Sequence, residues 1–161
     1  MKKLVIILPA FNEEKVIGQV LEGLKEELEN INSLKKEIVV VDDESRDKTA
    51  KIASGEGAVV LQHPINRGLG GALATGLEYA KRKNFDFAVT FDADGQHDPK
   101  DLRKILETLL SGEEDVVIGV RDLKNLNNFP FPANAIDCSA EARMCAWREI
   151  CSLLNFGPAL L

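Results

Sequence analysis

The chain has 161 residues, of which 45% are hydrophobic and 29% charged, and carries a formal net charge of −6. That length can bury one sizeable core, and the apolar content excludes an intrinsically disordered segment. An acidic balance gives no basic footprint for nucleic acid and no charge-driven adhesion to anionic lipid, so no nucleic-acid partner is expected.

Met1-Lys2-Lys3 precedes the apolar run Leu4 to Leu8, which has the outward shape of a secretory leader. Five apolar residues fall short of the roughly 7–15 of such a segment, and acidic residues follow at once, so a buried strand is predicted. Glu13 to Glu29 reads as a helix, with Val16, Ile17, Val20, Leu21, Leu24 and Leu28 on one face. Asn12 is its expected N-cap, with Glu13 and Glu14 in the first turn. Further strands are predicted at Ile38 to Val41, Ala58 to Leu61, Phe87 to Phe91 and Val116 to Gly119. Before the fourth strand, the small residues Ala72, Gly76 and Ala80 form a helix face expected to pack closely on the sheet. Before the fifth, Asp98 and Pro99 start a helix whose Leu102, Ile105, Leu106 and Leu109 face inward.

These strands are near-continuous apolar runs alternating with helices. The pattern predicts an α/β fold, a mainly parallel sheet flanked by helices on both faces with right-handed crossovers. Ligands in such sheets bind at the carboxyl ends of the strands, and every polar cluster of this chain follows a strand. No stretch approaches the roughly 20 apolar residues that span a bilayer, so any membrane contact is expected to be peripheral.

Composition shifts beyond Arg121. Lys124 to Asn134 is an Asn/Pro-rich loop, and Ser139 to Leu154 is predicted as an amphipathic helix with Met144, Trp147, Cys151 and Leu154 on one face. If that face is not packed on the chain's own sheet, it favours homo-oligomer formation or membrane contact. The three cysteines, Cys138, Cys145 and Cys151, match no zinc spacing, and their odd number without an export signal predicts free thiols in a cytoplasmic protein.

Four clusters could carry chemistry. Asp92 and Asp94 lie two apart in Phe91-Asp92-Ala93-Asp94-Gly95-Gln96-His97, so in an extended segment both carboxylates point one way. A pair of this kind suits a hard divalent cation that also binds substrate phosphates, and Gln96 repeats the spacing. A solvated Asp/Gly turn is the competing reading. An EF-hand is excluded because Arg103 occupies the twelfth position, where Glu is required. An aspartyl phosphatase fits poorly, since Gln96 follows the motif and the strand is the fourth.

After the second strand, one of Asp42 and Asp43 is expected to cap the helix that starts near Ser45, leaving the other free for ligand. Asn66 to Ala72 (NRGLGGA) approximates a dinucleotide fingerprint but has Leu73 where the last glycine belongs, so close helix packing is favoured, with the loop before the helix also lining the donor site. Pro9 to Glu14 is either a plain strand-to-helix turn or a wall for a planar base and ribose.

The stretches LVIILPAFNEE, IVVVDDESRDKT, NRGLGGALATGLEYA, VTFDADGQHDP and DVVIGVR together resemble the family 2 glycosyltransferases, in family order and spacing over residues 1–121. The resemblance is to the dolichol-phosphate mannosyltransferase-like branch. It implies a GT-A fold, in agreement with the α/β sheet read above, with residues 1–123 as the nucleotide-sugar-binding part and 124–161 as an atypical tail. It implies an inverting transferase moving sugar from a GDP- or UDP-sugar to a polyprenyl (dolichyl) phosphate or another glycosyl acceptor, at the cytoplasmic membrane face. Pro9, Phe11, Glu13, Val41 and Asp43 would surround the nucleotide. Asp92, Asp94 and Gln96 would hold Mg²⁺ or Mn²⁺ against the diphosphate, with the Ala93 backbone beside them, and Arg121 would reach a phosphate. Asp92, Asp94 and Arg121 are thus the expected catalytic residues.

The tail departs from the family. No Ser-Gly-Phe-Arg-like acceptor segment, Gln-x-x-Arg-Trp box or C-terminal membrane helix occurs in the sequence. A shifted reading frame, a natural short variant and a divergent acceptor helix each account for that. The alternative function is accordingly a non-catalytic nucleotide-sugar-binding or interaction domain lacking the acceptor half. A nicotinamide-dependent dehydrogenase rests on the defective glycine pattern alone.

Overall fold

The structure, a computed structural model, describes residues 1–29, 31–111 and 117. Arg121, the Asn/Pro-rich loop, the tail helix and the cysteines lie outside the described residues, as does the expected fifth strand except for Val117. Met1–Asp115 forms one compact unit.

Four strands alternate with four helices: β1 (Lys2–Ala10), α1 (Ile17–Glu29), β2 (Leu34–Asp42), α2 (Thr49–Gly55), β3 (Val59–Gln62), α3 (Gly68–Arg82), β4 (Phe87–Thr90) and α4 (Lys100–Ser111). All pairings are parallel, in the order β3-β2-β1-β4. The α/β expectation is met.

Strand β1 explains the two layers. Leu4 to Leu8 are all fully buried, which requires cover on both faces of the sheet. Leu4, Ile6 and Leu8 join a cluster with Ile17, Val20, Leu21, Leu24 and Leu28 of α1 and with Leu102 and Leu106 of α4. Val5 and Ile7 face the other way, toward Val39 and Val41 of β2 and Ala72 and Ala80 of α3. Gly76 lies in that buried α3 face, and a Cβ there would collide with Ile7 Cγ2. The small-residue stripe is therefore a close-packing device, as its sequence suggests.

Strand order sets where a ligand can sit. The chain steps outward from β1 to β2 to β3, then returns through α3 to place β4 on the other side of β1. The order thus reverses between β1 and β4, whose carboxyl ends are where ligands bind in sheets of this kind, and the β1–α1 and β4–α4 loops both lead to the face that α1 and α4 share.

Two helix starts show how local signals fared. At α4, Asp98 Oδ1 accepts the Lys100 N–H at 3.0 Å, and Leu102 and Leu106 are buried with Leu109 packed beside them. That start follows the sequence. At α1 it does not: the helix begins at Ile17, and Asn12, in the left-handed region at φ 57, is not its cap. Asn12 instead donates its N–H to Ser45 Oγ at 2.9 Å and accepts the Arg46 N–H at 2.9 Å. Its side chain joins the β1–α1 turn to the loop after β2, a demand that local capping preference does not contain.

Candidate donor-binding edge

The carboxyl edge is built from four loops knitted by side-chain-to-backbone hydrogen bonds. Between the first two, Glu13 N–H donates to Thr49 Oγ1 at 2.8 Å and Glu14 N–H to Asp47 Oδ2 at 3.0 Å. In return, Lys48 N–H donates to Glu14 Oε2 at 3.1 Å. Asp47 Oδ1 also accepts the Thr49 N–H, so the start of α2 and the turn before α1 share one carboxylate.

Asp42 ends β2 and Asp43 follows it, and both carboxylates are buried and hydrogen-bonded within the protein. Asp42 is 1% exposed; its Oδ1 accepts the Ser45 N–H at 3.2 Å and its Oδ2 accepts from Gln62 Nε2 at 3.1 Å. Asp43 is 4% exposed and serves α3 rather than α2. Its Oδ1 accepts the Arg67 N–H at 2.8 Å and its Oδ2 the Gly68 N–H at 2.7 Å, while His63 Nδ1 lies 2.6 Å from Oδ1. Burial raises the Asp43 pKa, but hydrogen bonds from Arg67, His63 and Gly68 outweigh it and hold the carboxyl below its ordinary value. The reading that one acid caps the helix near Ser45 is corrected: Asp42 closes a short turn onto Ser45, and the capping role goes to Asp43 at a different helix. Val41, beside them, is fully buried in the cluster facing α3, so its side chain belongs to the core.

The β4–α4 loop has a different character. Phe91 is buried and its N–H still donates to Ile7 O at 2.9 Å, one residue past the strand. Asp92 and Asp94 are exposed, whereas Ala93 between them is 2% exposed. The two acids are thus on the surface and the alanine between them is in the core, although the strand itself ends at Thr90 and Ala93 and Asp94 lie in a turn. Gly95, with a φ of 73, bends the chain. A Cβ at Gly95 would stand 2.5 Å from Val16 Cγ1, so the turn rests against the entry to α1. The Gln96 N–H then donates to Asp94 Oδ1 at 2.8 Å. The spacing thus does not carry on to Gln96 as an extended segment would. His97 Nε2 meets Asp92 Oδ2 at 3.0 Å, and its ring stands edge-on to Phe91 at 5.7 Å between centroids.

Electrostatics join this loop to the first. The Glu13 carboxyl has a raised pKa, first through burial and then through the charges of Asp94 and Asp47. Glu13, Asp47 and Asp94 therefore form one negative neighbourhood across the reversal point. Among the described residues, no three His, Cys, Asp or Glu side chains converge as a closed metal cage. A hard cation of the Mg²⁺ type does not need one, since it binds through one or two carboxylates plus water and substrate phosphate. Outward Asp92 and Asp94 fit that mode. Phe11 is 49% exposed at the same edge, and Pro9 stands opposite Val41 in the sheet register.

Several participants were not singled out in the sequence. Asp47 and Thr49 stand two apart before a helix, a turn signal that could have been read. His63 had no such signal, because its partners come from other elements.

The family model "Glycosyl transferase family 2" matches residues 5–151. The chain is 49% identical over 127 residues to uncharacterized protein MJ1222 of Methanocaldococcus jannaschii, covering 78% of this chain and 50% of that protein. It is 34% identical over 148 residues to the UDP-N-acetylglucosamine–dolichyl-phosphate N-acetylglucosaminyltransferase of Methanococcus voltae, covering 80% and 57%. The chain thus spans about half the length of these relatives. Among solved structures it is similar to glucosyl-3-phosphoglycerate synthase of Mycobacterium tuberculosis in complex with Mn²⁺, UDP and glucosyl-3-phosphoglycerate. That match has a TM-score of 0.57 at 28% identity and covers 70% of this chain and 41% of the other. The parallel sheet is accordingly that of the GT-A glycosyltransferases. By sequence match and by fold, the chain belongs to glycosyl transferase family 2.

Proposed function

We propose that the chain binds a nucleoside-diphosphate sugar at the carboxyl edge of its sheet and transfers the sugar, with inversion, to a polyprenyl phosphate. The observation that carries this is the exposed pair Asp92 and Asp94 after β4, with the Asp94 charge close enough to Glu13 to raise its pKa. The Methanococcus voltae relative, whose name gives a UDP-sugar donor and a dolichyl-phosphate acceptor, supports the substrate classes. The Mycobacterium tuberculosis structure, which holds Mn²⁺ and UDP, supports a divalent ion.

In this reading residues 1–123 carry donor binding. Asp92 and Asp94 would hold Mg²⁺ or Mn²⁺ beside the donor diphosphate, where the ion would supply charge stabilisation for the departing nucleotide. Gln96 and the Ala93 backbone border the same turn, and Arg121 is assigned to a donor phosphate. Pro9, Phe11 and Glu13 wall the nucleotide, while Asp43 shapes the adjacent loop. A phosphate acceptor is already an anion and attacks without a strong general base. A hydroxyl acceptor would need one. The lipid acceptor would be met peripherally, at the cytoplasmic membrane face.

Thermal unfolding with UDP or GDP, with and without Mn²⁺, tests the donor reading. Stabilisation should require the metal, and Asp94→Ala should remove the metal-dependent part. An unchanged shift in that variant refutes the metal assignment. Transfer of labelled sugar to polyprenyl phosphate then separates an enzyme from a domain that binds nucleotide sugar without transferring it.

A further inference from the structure

His63 is a buried ionisable side chain, 6% exposed, that none of the roles above uses. It follows β3 directly and donates its N–H to Asp42 O at 2.9 Å. Its ring bridges two elements: Nδ1 lies 2.6 Å from Asp43 Oδ1, and Nε2 lies 2.9 Å from Thr75 Oγ1 within α3.

Donor bookkeeping restricts how the ring is held. An ionised carboxylate only accepts, so Nδ1 carries the hydrogen shared with Asp43. Nε2 then either donates to Thr75 Oγ1 or accepts its hydroxyl hydrogen, which otherwise goes to Gly71 O at 3.0 Å. Both arrangements leave the ring gripped at each end, so its orientation does not depend on its charge.

The consequence falls on the loop that follows. Residues 64–67 of that loop are all exposed, as are Gly68 to Gly70 in the first turn of α3. The loop is tied down at Asn66, Arg67 and Gly68. Their backbone N–H groups donate to Glu44 Oε2, Asp43 Oδ1 and Asp43 Oδ2, and Asn66 Nδ2 donates to Asp43 O at 3.2 Å. The Asp43 carboxylate thus receives two amides from the start of α3 and the His63 ring on one side. An apolar residue at position 63 could fill the space but could not hold that carboxylate.

We infer that His63 is a positioning residue for donor binding: it clamps Asp43 against the first amides of α3 and so sets the Asn66–Gly68 backbone at the carboxyl edge. The inference rests on the donor-binding reading above. It distinguishes the clamp from simple packing, because the two ring nitrogens can be replaced separately. His63→Asn places an amide donor where Nδ1 stands and keeps the Asp43 link. His63→Gln reaches toward Thr75 instead, and His63→Leu keeps neither.

The test is calorimetric titration of the full chain with UDP in Mn²⁺, well below the unfolding temperature of the least stable variant. His63→Leu and His63→Gln should each weaken binding about fivefold or more, while His63→Asn stays within about twofold of the parent. Exchange of the Arg67 and Gly68 amides should quicken in the first two variants only. Should His63→Leu fail to fold, the Gln and Asn variants carry the comparison. Unchanged affinity in His63→Gln, or equal losses in Gln and Asn, overturns the inference while leaving donor binding intact. A parent chain that binds neither UDP nor GDP with Mn²⁺ overturns the donor reading, and the positioning role with it.

Discussion

Two acidic pairs leave strands of one sheet and end in opposite environments. Asp42 and Asp43 at the end of β2 are buried, and their four oxygens accept hydrogen bonds from Ser45, Gln62, Arg67, Gly68 and His63. Asp92 and Asp94 past β4 are exposed and meet only His97 and the Gln96 N–H in the described hydrogen bonds. The residue type is the same, and the supply of donors differs. Strand β2 is an inner strand, and the loop between β3 and α3 arrives beside it with free amides. Strand β4 stands on the other side of β1, where the β1–α1 loop brings Glu13, another acid, within reach of the Asp94 charge. An acid pair becomes architecture where neighbouring loops deliver N–H groups, and stays exposed where they deliver negative charge.

The contrast is most open to attack at Asp43. Asp43→Ala removes one partner of a buried network and should cost about 3–5 kcal/mol of stability in denaturant titration. A loss of under about 1 kcal/mol would mean the pair is not architectural. At the other pair the expectation reverses. Asp94→Ala should leave the stability of the unliganded chain within about 0.5 kcal/mol. It should forfeit the metal-dependent stabilisation, about 2.7 kcal/mol when nucleoside diphosphate stands at 100 times its dissociation constant.

Acidity sharpens the comparison further. The folded Asp43 pKa lies below its ordinary 3.8, so its contribution is complete above that value and is lost as pH falls through the lower folded one. Glu13 runs the other way. Its folded pKa lies above 4.5, so its contribution is complete below 4.5 and is lost as pH rises through the folded value. Stability curves against pH should therefore flatten on the acid side in Asp43→Asn and gain toward neutrality in Glu13→Gln. The smallest effect is expected at His97, whose contact with Asp92 is 39% and 53% exposed on its two sides. His97→Gln should change stability by no more than about 1 kcal/mol, as surface pairs do.

Much of this was legible in the chain itself. Leu4 to Leu8 announced a strand covered on both faces, Asp98-Pro99 announced the start of α4, and Ala72, Gly76 and Ala80 announced close packing on the sheet. Each is a signal contained within one element. The motif positions around Pro9, Asp43 and Asp92 also fell at the carboxyl edge, because each follows a strand. What misled was Asn12, whose side chain serves Arg46 and whose N–H serves Ser45 rather than its own helix. The Asp42–Asp43 pair misled too, because the amides that saturate Asp43 lie in a loop after the next strand.

The sequence by itself determined the alternation of strand and helix, the parallel sheet, the family and the placing of acids at strand ends. Those follow from apolar periodicity and short spacings, which are encoded within a few consecutive residues. Only the tertiary structure decided that Asp43 is held by α3 and His63, that the Val41 side chain belongs to the core, and that Asp92 and Asp94 are exposed with the Asp94 charge felt at Glu13. These depend on which loops meet across the sheet, because a hydrogen bond or a repulsion is set by distance in space rather than along the chain.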